Sequence, residues 1–364
     1  MLIYIVILFF VSSVVLNVLR NRVSRQSQSF LLMTILVLSI VMLTFRGINV
    51  GTDYIHHNNS FFASTDLSFF DDSIIGILFS EPIWYSLFYL INSHGFPITL
   101  FWFVYISLVW LFLIRSIPNG TSKLLVSSLF ILSYFYYSSY NTSAQVLASM
   151  LILCSVKQIN QHNINRAILY FVGAMLIHKS SLFVLPFFVL NYISISKKWY
   201  YWAFGISFII LFMGIDSTLF SKINGLMTLM DNSSNMSDYN KYFDMESSGL
   251  NMLGIAMNYF MIIANILVFV VVHFRDKKKL DVYSQWWAIG IIIYILTFNY
   301  AWLFRLSYFF MMSMIIAISL RFNCKGRKNQ YVIAILLLSL IYVCKLYNNN
   351  DGIVPYEILK NYNL

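Results

Sequence analysis

Leu2-Ile3-Tyr4-Ile5-Val6-Ile7-Leu8-Phe9-Phe10-Val11-Ser12-Ser13-Val14-Val15-Leu16-Asn17-Val18-Leu19 is an uncharged, apolar run, closed by Arg20, Arg22 and Arg25. A helix of about 20 such residues spans the hydrocarbon core of a bilayer, and cations just beyond its end mark the cytoplasmic side. The run lacks a basic leading region and a small-x-small cleavage site, so it predicts a retained membrane helix and not a secretory signal.

The rest of the chain repeats this pattern. Of its 364 residues 59% are hydrophobic and only 10% charged, with a mean hydropathy of +0.73. A soluble domain carries roughly 25% charged residues, so lipid must be the solvent for most of this chain. That excludes a nucleic-acid-binding protein, a soluble nucleotide-binding enzyme and a secreted disulfide module. Cys154, Cys324 and Cys344 match no metal or disulfide spacing and read as inert.

Segments 2–19, 30–45, 97–114, 123–137, 143–156, 166–177, 181–195, 199–215, 251–273, 283–298, 302–320 and 331–347 pass or approach the spanning length. The expectation is one all-α polytopic membrane domain over 1–364, with about twelve transmembrane helices (range ten to fourteen). A further apolar stretch, 74–92, is interrupted by Glu81-Pro82 and reads as a re-entrant or interfacial element inside an outer loop, 46–96. A second outer loop, 216–250, opens with Leu219, Phe220, Ile223, Leu226, Met227 and Met230, spaced as an amphipathic helix.

Alternate loops sort the charge. With the N-terminus outside, the inner loops hold Arg20, Arg22, Arg25, Arg115, Lys123, Lys157, Arg166, Lys197, Lys198, Arg275, Lys277, Lys278, Lys279, Arg321, Lys325, Arg327 and Lys328, most of the 24 basic residues. Only Asp276 and Asp281 of the 14 acidic residues join them. The basic excess is therefore topological. The informative cations are those left on the acidic outer side, chiefly Arg46, Lys179 and Arg305. Lys222 and Lys241 fall in the polar loop, Lys360 in the tail, and Lys345 reads as a lysine snorkelling from the last helix.

Arg305 lies about one turn into a helix, where an arginine requires a cavity or a partner. Clustered cations at a membrane surface suit a phosphate or diphosphate, which the arginine fork binds bidentately. The competing reading is that Arg46 and Arg305 pair with Asp53, Glu81 or a helix C-terminus only to hold the fold. The loop Phe45-Arg46-Gly47-Ile48-Asn49-Val50-Gly51-Thr52-Asp53-Tyr54 is dense in turn residues. Asp53 there either caps the next helix or serves as a base or orienter. His56, His57, Asp71 and Asp72 follow, at spacings that match no metal motif. Tyr134, Tyr136, Tyr137 and Tyr140 read as an interfacial aromatic belt, with Tyr140 beside Asn141 as a candidate sugar-stacking ring. His162 and His273 read as structural.

Arg46-x4-Gly51-Thr52-Asp53-Tyr54 after a second membrane helix resembles the EpsG family of bacterial exopolysaccharide and O-antigen polymerases, which are Wzy-like. Glu81, Asn141-x-x-Ala144-Gln145-x-x-Ala148, His178-x-Ser180, Arg305 with Tyr308 and Phe309, and Pro355-Tyr356 follow in the family's order. Two positions depart from its pattern: Ala144 stands where an arginine is usual, and His57 where a tyrosine is. The resemblance implies a GT-C-like glycosyltransferase that needs no cofactor, metal or nucleotide sugar. It would join undecaprenyl-diphosphate-linked repeat units on the outer face of the bacterial plasma membrane, with a chain-length-regulating membrane protein as a candidate partner. By the same resemblance Arg46 and Arg305 would hold the diphosphate with Lys179 as helper, and His178 or Asp53 would serve the acceptor hydroxyl. Tyr54, Glu81, Asn141, Gln145 and Tyr308 would complete the substrate site. A flippase for lipid-linked oligosaccharide and a membrane acyltransferase are the rival classes.

Overall fold

Long apolar stretches with few glycines and prolines satisfy their backbone groups internally only as helices, and helices are what form. The structure is a computed structural model that describes residues 1–20, 22–64, 81–214, 252–276, 279–299, 303–322, 328–349 and 351–358. Among them the elements are α1 (Leu2–Leu19), α2 (Arg25–Thr44), α3 (Tyr54–Ala63), α4 (Pro82–Ser93), α5 (Ile98–Ser116), α6 (Lys123–Leu132), α7 (Phe135–Ser138), α8 (Ser143–Asn160) and α9 (Ile164–Ile177). A 3₁₀ helix, Lys179–Asn191, follows. Then come α10 (Lys197–Phe212), α11 (Met252–His273), α12 (Val282–Leu296), a 3₁₀ turn Phe304–Ser307, α13 (Tyr308–Met311), α14 (Ser313–Phe322) and α15 (Lys328–Asn348). Strand pairing among the described residues is limited to two isolated bridges, Arg46 with Ile358 and Ser196 with Lys279.

Among the described residues six helices are long and apolar enough to cross a membrane: Leu2–Leu19, Arg25–Thr44, Ile98–Ser116, Ala256–His273, Phe304–Arg321 and Asn329–Asn348. Lys123–Leu132, Ile164–Ile177, Lys179–Asn191 and Val282–Leu296 are apolar but shorter. The stretch expected to run unbroken over 123–137 is cut at Tyr134, whose φ of 72° takes the chain out of α6. The outward faces carry bare apolar side chains such as Leu2, Phe9, Phe30, Ile209 and Phe212, as a lipid-facing surface requires. The chain is a membrane-embedded helical protein. The amphipathic helix expected within 216–250 and the first part, 74–80, of the re-entrant stretch 74–92 lie outside the described residues. What is described of the latter is Glu81 and α4.

The centre of the bundle is α8, whose residues from Ser143 to Val156 are all buried. It packs against α5, α9, the Lys179–Asn191 helix and α13. Asn141 precedes one end of it, and Lys157 near the other caps α5 by donating to the Arg115 and Ile117 carbonyls at 2.7 and 2.6 Å. At about 1.5 Å per helical residue these two ends lie roughly 24 Å apart. The basic end is further tied by Lys197 Nζ to the His273 and Asp276 carbonyls, and by Arg321 to Asp276 and Asp281.

The tyrosine cluster corrects one expectation. Tyr134, Tyr136, Tyr137 and Tyr140 are fully buried and form core, not belt. The Tyr136 hydroxyl donates to the Ser39 carbonyl at 2.7 Å, and the Tyr137 hydroxyl lies 2.9 Å from that of Tyr342. Polar tips that find partners inside the bundle have no need of the interface. Trp199 and Trp202, both well exposed beside Lys197 and Lys198, fit an interfacial anchor better.

Candidate active site

Helix α2 ends at Thr44, and the loop that follows turns its arginine inward. Arg46 is fully buried. Its guanidinium carbon lies 4.2 Å from the Trp102 ring centre, 4.8 Å from Tyr140 and 5.0 Å from Tyr54, while Nη1 donates to the Tyr140 carbonyl at 2.8 Å. Among the described residues Nε and Nη2 find no hydrogen-bond partner. Burial is the main cause that lowers its pKa to about 10, so the group remains cationic at neutral pH. Electron-rich ring faces replace part of its hydration. Sequence reasoning put Arg46 on a phosphate; here it has no surface to offer one, because three aromatic rings and the loop close over it. Tyr54 is likewise drawn into the cage, stacked on Trp102.

Gly51 makes this closure sterically feasible. Its φ is +101°, and an added Cβ would stand 3.0 Å from Asn141 Oδ1, 3.1 Å from the Tyr140 carbonyl and 3.4 Å from Arg46 Nη1. Gly51→Ala should destabilise the protein by about 2–4 kcal/mol, from backbone strain plus overpacking. Thermal unfolding in detergent, set beside Gly205→Ala, a helical position with open space and no left-handed backbone, measures that loss.

Around this cage the open side chains gather. Asp53 begins α3 but makes no side-chain cap; its Oδ2 lies 3.8 Å from Arg305 Nη1, and the two side chains are 32% and 41% exposed. Of the two readings of Asp53, the helix-cap role is therefore absent. Asn141 Oδ1 accepts from the Asp53 backbone N–H at 3.4 Å. One turn along, Gln145 Nε2 donates to the Arg305 carbonyl at 2.5 Å. Asn141, just before α8, and Gln145, in its first turn, thus hold the two halves of the Asp53–Arg305 pair. Ala144, where the family's arginine would stand, is buried between them.

A second polar pair stands nearby. Helix α9 stops at Ile177, and His178 is extended (φ −150°) before the 3₁₀ helix begins. Its Nδ1 lies 2.6 Å from Glu81 Oε1, with the side chains 25% and 16% exposed. The Lys179 backbone N–H donates to the same oxygen at 3.4 Å. Glu81 itself has φ of 56°, an uncommon left-handed conformation for a non-glycine residue, just ahead of Pro82 at the first position of α4. With Nδ1 donating to the carboxylate, neutral His178 keeps Nε2 as an acceptor. Glu81 pairs with this histidine and not with an arginine. The His178 ring stacks 6.4 Å from Phe309, four residues beyond Arg305.

Tyr308 is buried, with its ring centre 5.8 Å from the Lys345 ammonium. Lys345 does not simply snorkel: it also lies 5.0 Å from the Tyr134 ring, at the rim of a small cavity lined by Ser133, Asn265, Tyr294 and Ser307. His57, where a tyrosine was expected, sits against Trp84 and Trp102; burial first, then the Arg46 charge, lower its pKa to about 3. It is neutral under ordinary conditions. Asp71 and Asp72 lie outside the described residues, and among those described no three His, Cys, Asp or Glu side chains converge on a point.

One residue of this region escaped sequence reasoning. The chain after α15 folds back across the loop, so that Gly47 and Gly51 donate backbone bonds to Glu357 and Gly352 at 2.7 and 3.0 Å. This brings Asp351 to Asn141, whose Nδ2 donates to the Asp351 carbonyl at 2.7 Å and to Oδ1 at 3.0 Å. Asn348, Asn349, Asn350, Asp351 and Gly352 form a turn-rich run that could have signalled a reversal, though not its target.

No curated protein and no solved structure matches the chain. The EpsG family model matches residues 29–358, and with nearly the whole chain covered the protein belongs to the EpsG family.

Proposed function

We propose that the protein polymerises a surface polysaccharide by transferring a glycan from a lipid diphosphate to a sugar hydroxyl of a second lipid-linked unit. Family membership supports the polymerase. The observation that carries the chemistry is the pairing of an accessible arginine–carboxylate couple, Arg305 with Asp53, and an accessible imidazole–carboxylate couple, His178 with Glu81, beside one buried core.

In this reading His178 Nε2 takes the proton of the acceptor hydroxyl as its oxygen bonds to the anomeric carbon. The bond from that carbon to the diphosphate oxygen breaks, and its electron pair leaves on the diphosphate. Arg305 receives the developing charge with two parallel N–H donors. Glu81 holds the imidazole and stabilises its cation, as a carboxylate does for the base in hydrolytic triads. Asp53 keeps Arg305 aimed, and Arg46 acts from within by holding the loop. Lys179, Asn141 and Gln145 serve binding and positioning. In this reading the chemistry lies on the outer face of a bacterial plasma membrane, which the basic excess of the opposite helix ends supports. On the same reading α8 and α10 join the six long and four shorter apolar helices to make twelve crossings in a GT-C-like arrangement.

A deletion strain should lose long-chain polysaccharide on a gel while retaining single repeat units outside the cell. Loss of those units too would favour a flippase, and undiminished long chains would sink the proposal. His178→Gln is expected to cut elongation by about 10²-fold or more and Glu81→Gln by less, at unchanged protein level in the membrane. A full-length ladder from His178→Gln would remove the histidine from the mechanism.

A further inference from the structure

Asn141 can present its amide in two ways, and the choice matters. As it stands, Oδ1 accepts from the Asp53 N–H while Nδ2 donates to both the carbonyl and the carboxylate of Asp351. Reversed, it would set a donor against the Asp53 N–H and an acceptor against two Asp351 oxygens. Asp351 therefore selects the rotamer that supports Asp53, and Asp53 faces Arg305 across 3.8 Å. The carboxyl is also near three other charges. Burial raises its pKa above the ordinary carboxylate range, Lys345 and Arg305 oppose that rise, and Asp53 adds to it.

The tail that carries Asp351 is fastened independently of this side chain. Thr52 N–H donates to the Asp351 carbonyl at 3.3 Å, and the hydroxyls of Tyr4 and Tyr356 bond the Ile353 and Met42 carbonyls at 2.5 and 2.7 Å. An added Cβ on Gly352 (φ +60°) would meet Thr52 Cγ2 at 3.0 Å, so tail and loop are in close contact. Removing one carboxylate should leave the tail in place.

We infer that Asp351 is a positioning residue of the transfer site, acting through the Asn141 amide to hold Asp53 and Arg305 in their working arrangement. The inference rests on the polymerase reading above. Full-length variants are expressed in a strain lacking its own copy, and the polysaccharide ladder is followed with time. A tag after the C-terminus reports protease accessibility of the tail. Asp351→Ala is expected to slow elongation about tenfold with the tail still protected, the loss of one hydrogen bond to a charged group. Asp351→Asn retains an acceptor for Asn141 Nδ2 and should recover most of the rate. An unaltered ladder from Asp351→Ala would overturn the inference. So would Asp351→Asn as slow as Asp351→Ala, because charge and not the hydrogen bond would then be needed. A tail laid open to protease in Asp351→Ala would also overturn it, by making Asp351 a mere fastening. Failure of the unsubstituted protein to restore long chains would overturn the polymerase reading together with this one.

Discussion

Arg305→Ala is expected to reduce glycan elongation by about 10²–10³-fold while leaving the protein folded and abundant in the membrane. The size follows from removing a preorganised donor from the oxygen that gains charge as the diphosphate leaves. The neutrality for folding follows from exposure. Arg305 is 41% exposed, and its contact with Asp53 is a loose 3.8 Å pair of a kind that contributes little to stability. Arg305→Lys should fall between, since an ammonium keeps the charge but loses the planar fork. Ladder length against time, beside membrane abundance, measures both effects. A wild-type ladder from Arg305→Ala would remove the arginine from the mechanism.

Arg46→Ala should act in the opposite way, through the fold. The substitution leaves a void among Trp102, Tyr54 and Tyr140 and strips the Tyr140 carbonyl of its donor. Large-to-small changes at such sites cost about 3–5 kcal/mol, which for a membrane protein would appear as lower thermal stability in detergent and poor accumulation. Arg46→Lys is not expected to rescue it, because an ammonium cannot lie flat between three rings while reaching the Tyr140 carbonyl. The contrast between the two arginines is the measurement of interest. Should Arg46→Ala keep its thermal stability yet lose elongation, Arg46 would return to the list of groups that touch substrate.

Both arginines look alike in the sequence, as outer-side cations flanked by aromatic and apolar residues. Nothing local distinguishes them. Arg46 is enclosed because Tyr140, 94 residues away, supplies both a carbonyl and a ring. Glu81 and His178 are 97 residues apart and were legible only as separate polar positions; that they form a dyad depends on α4 meeting the end of α9. Asp351 was missed because its partner Asn141 is 210 residues distant and its own neighbourhood reads as a turn. Asp53 was readable as a helix start, and α3 does start there, yet its carboxylate turns to Arg305 instead of the helix N–H groups. The tyrosine cluster failed for the same reason: amphipathic residues near a helix end fit a belt or a core equally until their hydroxyl partners are known.

What the sequence determined by itself is the environment. Apolar runs uninterrupted by charge can satisfy their backbone only as helices in lipid, and the basic residues gather in alternate loops between those helices. Those are local properties, carried by each segment alone. The tertiary structure decided which polar residues are open to a substrate and which are sealed. Burial and pairing are properties of two or more segments at once, and only packing the helices shows that Arg305 and His178 are open while Arg46 is closed in.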